Sequence, residues 1–72
     1  MDIKLIRKLN VTYEICSNEE LLESTIKTIV QRLDKEDPEA LSDALDRCQE
    51  EIDGHLSLAA ILIRIKKSKA ER

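Results

Sequence analysis

Gly54 and Pro38 are the only glycine and the only proline in this chain of 72 residues. Small sandwiches and barrels need many tight turns, and turns draw heavily on those two residue types. The scarcity sets such folds aside and points to helices. Tyr13 is the single aromatic residue, with no Phe and no Trp. A core must therefore come from Leu, Ile, Val and Ala. The length fits one small domain, residues 1–72, and a chain this short buries only roughly 60% of its unfolded surface.

Pro38 also fixes a boundary. In Asp37-Pro38-Glu39, Asp37 can accept hydrogen bonds from the open N–H groups of a first helical turn. Proline suits the first helical position because its missing N–H would be unpaired there anyway. A helix opens at this point. Leu41, Leu45, Cys48, Ile52, Leu56, Ala59 and Ile63 keep its stripe in phase. Gly54 interrupts that stripe without shifting it, so the spacing predicts one long helix over about 38–67. An earlier helix is expected over about 18–34. Ser17 and Glu20 form a capping box, with Cys16 and Leu21 placed to staple it. Leu22, Ile26, Ile29 and Leu33 follow at helical spacing.

The connection between these two helices is about three residues, which predicts antiparallel neighbours. The expected fold is all-α, an antiparallel helical hairpin within 17–72 preceded by an N-terminal segment, 1–16. That segment reads two ways. Leu9, Val11, Tyr13 and Ile15 alternate with polar residues, which is strand period. Leu5, Ile6, Leu9 and Tyr13 also lie near one helical face. Short helix and short strand both stay open.

Charge narrows the function. The formal net charge is −3, so the chain lacks the basic footprint that phosphate binding requires. Nine acidic residues between Asp34 and Asp53 face only Lys35 and Arg47, whereas Arg64, Lys66, Lys67, Lys69 and Arg72 make the C-terminal end basic. A cationic helix end complements the negative pole of the helix dipole. The longest uncharged run, Gly54 to Ile63, is ten residues, about half of what a membrane-spanning helix needs. The N-terminus has no continuous apolar stretch of the signal-peptide kind. Cys16 and Cys48 are then expected as free thiols in a cytoplasmic setting. His55 is the single imidazole, and nothing near it in sequence supplies a nucleophile or an orienting group. No catalytic, cofactor or metal site is expected, and the chain reads as non-enzymatic. A calcium loop centred on Asp53-Gly54 fails because its twelfth position is Ala60.

The two expected helices differ in length. About 17 residues span roughly 25 Å and about 30 span roughly 45 Å, so the first covers only half of the second. The uncovered half is the most apolar stretch of the chain. Leu56, Leu58, Ile61, Leu62 and Ile65 are the expected partner-binding residues. Aspartate at Ile61 or Leu62 should then abolish a complex and leave helix content intact.

The order of features resembles the small co-chaperones of type III secretion needle subunits, the YscE/PscE type. The resemblance covers about Ser17 to Ile65. It rests on Asp37-Pro38-Glu39 opening the second helix and on Ile52-Asp53-Gly54-His55-Leu56 leading into Ala60-Ile61-Leu62. It implies a cytoplasmic bacterial chain that pairs with a helical-repeat chaperone. Together the two keep a needle subunit from polymerising. The alternative is a second copy of the chain itself, closing a homodimeric bundle that acts as a small RNA-binding or transcription regulator. Tyr13 is the only ring such a protein has for stacking on bases.

Overall fold

The computed structural model describes residues 2–17 and 22–71. Among these residues there are four helices and no strand: α1 (Ile3–Ser17), α2 (Glu23–Leu33), α3 (Pro38–Glu51) and α4 (Leu58–Ala70). The N-terminal segment is therefore a helix. Its buried residues are Leu9, Thr12, Tyr13 and Cys16, at spacings of three, one and three. That is one helical face, and Thr12 and Cys16 complete it.

The α3 start matches its sequence signal. Pro38 occupies the first turn, and an Asp37 side-chain oxygen accepts from the Glu39 N–H at 3.2 Å. The expected long second helix is overturned. α3 stops at Glu51, and residues 52–57 form a turn in which Gly54 has φ +118°. That angle lies in the left-handed half of backbone space, which glycine enters without a Cβ clash. Two hydrogen bonds hold the turn against the end of α1. The Gly54 N–H donates to the Cys16 carbonyl at 2.7 Å, and the Leu56 N–H donates to Ser17 Oγ at 2.8 Å. Ser57 then caps α4, accepting from the Ala60 N–H at 3.2 Å. A stripe that stays in phase across a glycine is thus compatible with a break, because a turn of six residues realigns the same face.

The first helix of the expected pair is also shorter. α2 begins at Glu23, and its N-cap Leu22 makes no side-chain cap bond. In the expected capping box, Glu20 lies outside the described residues, as does Leu21 of the staple. Ser17 instead ends α1 and serves the 52–57 turn.

α3 packs chiefly on α4, as an antiparallel pair. Arg64 reaches Glu51 at 3.3 Å, and Arg47 near the middle of α3 binds Glu71 just beyond α4. Rising numbers on one helix meet falling numbers on the other. α1 runs parallel to α3. Lys8 meets Asp46 at 2.8 Å, Thr12 meets Gln49 at 2.9 Å, and the Cys16 thiol donates to the Cys48 carbonyl at 3.2 Å. α3 is the central element, with α4 and α1 its principal neighbours. Its buried residues, Ala40, Leu41, Ala44, Leu45 and Cys48, form a stripe wide enough to serve both. Ala40 and Ala44 are small, which lets neighbouring backbones approach. α2 contributes Ile29 and Leu33 to the same core.

Candidate protein-binding face

The five residues expected to meet a partner divide in two. Leu56, Ile61 and Ile65 are buried in the chain's own core, at 2%, 0% and 1% exposure. Leu58 and Leu62 are half-buried against it. The expectation assumed an apolar half-helix extending past its cover. The turn at 52–57 removes that overhang, because α4 folds back along α3. An aspartate at Ile61 would now place a charge in the core.

The exposed large apolar residues lie elsewhere. Ile3, Val11 and Ile15 of α1 are 61%, 46% and 55% exposed, and Leu22 and Ile63 are exposed too. On a helical projection at 100° per residue, Ile3, Val11 and Ile15 lie opposite Leu9, Thr12, Tyr13 and Cys16. α1 is therefore apolar on two faces, one inward and one outward. Lys4, Arg7 and Glu14 share the outward face and are exposed. Neither Arg7 nor Glu14 has an ion-pair partner among the described residues. The alternation of Leu9, Val11, Tyr13 and Ile15 carried this information. In a helix, apolar residues two apart fall on different faces, so strict alternation signals a helix with two apolar sides as well as a strand.

Cys16 and Cys48 are free and buried. Burial pushes both thiols up, Cys48 to about 11, against the opposing pull of Arg64. Thiols held protonated are weak nucleophiles and poor metal ligands. No group of three His, Cys, Asp or Glu able to hold a metal occurs among the described residues. No helix of the described residues is long and apolar enough to cross a membrane. A cavity of about 200 Å³ opens between the start of α1 and the α2–α3 connection. Leu5, Leu33, Pro38 and Leu41 line it, and Asp2, Asp34 and Glu36 stand around them. Glu36 is engaged by Lys69 at 3.0 Å.

The chain matches no protein-family model, no curated protein and no solved structure. What it does must be argued from its own surface.

Proposed function

We propose that this chain is a non-enzymatic helical binding protein that docks a helix of another protein on the outward face of α1. The observation that carries this reading is the second apolar face of α1, with Ile3, Val11 and Ile15 exposed while the opposite face is buried. Large apolar side chains aligned on one solvent face, with charges between them, are the usual makeup of a helix-docking surface. The resemblance to needle-subunit co-chaperones supplies a particular form of this role. In that form the partner is a helical-repeat chaperone in the cytoplasm, and the pair keeps a needle subunit monomeric. Docking on α1 takes the place of the docking on Leu56, Ile61 and Ile65 that the sequence suggested. Leu58 and Leu62, half-buried on α4, remain at the edge of the molecule where a larger partner reaches them.

The test is co-purification with the tagged chain, comparing the natural sequence with Val11→Asp and Ile15→Asp. Both residues are exposed, so both variants should keep their helix content by circular dichroism. Loss of a helical-repeat protein and a needle-like subunit from both variants supports the co-chaperone form. Undiminished recovery of those proteins with Val11→Asp removes α1 as the docking face. The second reading is association of the chain with itself, and the charges on the same face favour it.

A further inference from the structure

We infer that, in the protein on its own, the outward face of α1 is covered by α1 of a second copy, running antiparallel across a twofold axis near Val11. This rests on the reading above that this face is a docking surface, and it names the occupant.

The observation is the placement of two unpaired charges. Arg7 and Glu14 are seven residues apart, close to two helical turns, so they project from nearly the same side of α1. Both are exposed, and neither has an ion-pair partner among the described residues. The midpoint between them falls next to Val11, the central residue of the exposed apolar set.

A twofold axis perpendicular to the helix at that midpoint maps Arg7 of one copy onto the level of Glu14 of the other. It keeps the two on the same side of the seam. The operation then repeats the contact, giving two equivalent ion pairs. Val11 meets its counterpart at the centre, and Ile15 lies along the aliphatic stem of the other copy's Lys4. A parallel arrangement, with the axis along the helices, would instead carry the second Arg7 and the second Glu14 to the far side of the seam, so neither charge would meet its complement. Opposite charges flanking an apolar seam set helix orientation in this way in coiled coils. An isologous contact of this kind closes on itself and leaves no sticky end.

Size sets the strength. The 15 residues of α1 span about 22 Å at 1.5 Å per residue. Pairing two such faces buries on the order of 1,000 Å² in total, the lower limit for a specific interface. The dimer should therefore dissociate at micromolar to hundred-micromolar concentration, on the order of 10⁻⁶ to 10⁻⁴ M.

Sedimentation equilibrium over that concentration range tests the assignment. The natural chain should dimerise. Arg7→Glu alone and Glu14→Arg alone should each weaken the dimer by about tenfold or more at low salt, since each turns two attractions into two repulsions. The double variant carrying both changes should recover to within about threefold. Mixing the two single variants should give a heterodimer tighter than either homodimer. Val11→Asp should be monomeric throughout. A natural chain that stays monomeric overturns the second-copy inference. If Val11→Asp still loses a heterologous partner in that case, docking on α1 stands. A dimer indifferent both to the charge changes and to Val11→Asp forms through another surface and overturns the second-copy inference, while docking on α1 is judged by the co-purification above.

Discussion

Replacing Gly54 with alanine isolates the one backbone conformation on which the fold turns. The residue has φ +118°, and a Cβ built there meets nothing within 4 Å. No clash with a neighbour contributes to the effect, so the cost is that of the backbone itself. Holding an L-residue in left-handed space costs about 1–2 kcal/mol, rising to about 3 where the surroundings fix the geometry. Alanine also restricts the unfolded chain, which offsets about 0.4–1 kcal/mol of that cost. The net loss is about 1–2 kcal/mol. In a domain of this size each kcal/mol moves Tm by about 4–8 °C, so Tm should fall by roughly 5–15 °C. The assay is thermal unfolding followed by circular dichroism at fixed protein concentration. D-alanine, placed there by chemical synthesis, supplies the control. It adds the same methyl group but favours positive φ, so Tm should hold or rise by a few degrees, for about 0.4–1 kcal/mol. A Tm with L-alanine at or above the natural value refutes the reasoning, because the turn would then not depend on that angle. Equal losses with both enantiomers refute it differently, by showing that the methyl group and not its handedness is at fault.

Three further outcomes follow from burial and charge. Ile61→Asp should leave the chain largely unfolded by circular dichroism, whereas Ile63→Asp, two residues on and exposed, should keep native helix content; matching spectra would refute the burial assignment. The Cys16 and Cys48 thiols should react with an aromatic disulfide reagent only as fast as α1 opens from α3, and both at once in denaturant; prompt stoichiometric reaction of the native protein would contradict their burial. Glu71 is held below the ordinary carboxylate range, chiefly by its hydrogen bonds from Arg47. A lowered folded-state value means that this contact is fully present above the unfolded pKa and is lost as pH falls through the folded one. The last turn of α4 should then fray in acid, seen as a Glu71 side-chain titration below the usual range with accompanying amide shifts. A Glu71 midpoint at the ordinary value, or one unchanged by Arg47→Ala, would sink this account.

Much of the helical content was legible in the sequence, and the reasons are local. Asp37 and Pro38 act within one turn of where they stand, so the start of α3 could be placed. Leu22 to Leu33 gave the course of α2, with its boundary offset because Ser17 bonds to Leu56 instead of opening the next helix. What was not legible is tertiary. Gly54 within a stripe in phase permits both a bent helix and a break, and its hydrogen bond to Cys16, with that of Leu56 to Ser17, selects the break. That single ambiguity displaced the candidate site, since Leu56, Ile61 and Ile65 are exposed on an overhanging helix and buried on one that folds back. The outward face of α1 was hidden for another reason. The alternation from Leu9 to Ile15 fits a strand as well as a helix with two apolar sides, and the inward side is completed by Thr12 and Cys16, which no apolar pattern marks.

The position of α3 between α4 and α1 has a consequence for the order of assembly. α3 and α4 are separated by a turn of six residues, so their contacts close a short loop at small entropic cost. α1 reaches α3 only after all of α2 intervenes, and its contacts, such as Lys8 with Asp46, join residues 38 positions apart. The α3–α4 hairpin should therefore form first, with α1 docking onto it afterwards. Slow amide exchange should concentrate in α3 and α4, with α1 opening first. A helix that detaches first bares its inner face, Leu9, Tyr13 and Cys16, together with Cys48 on the stretch of α3 it covered.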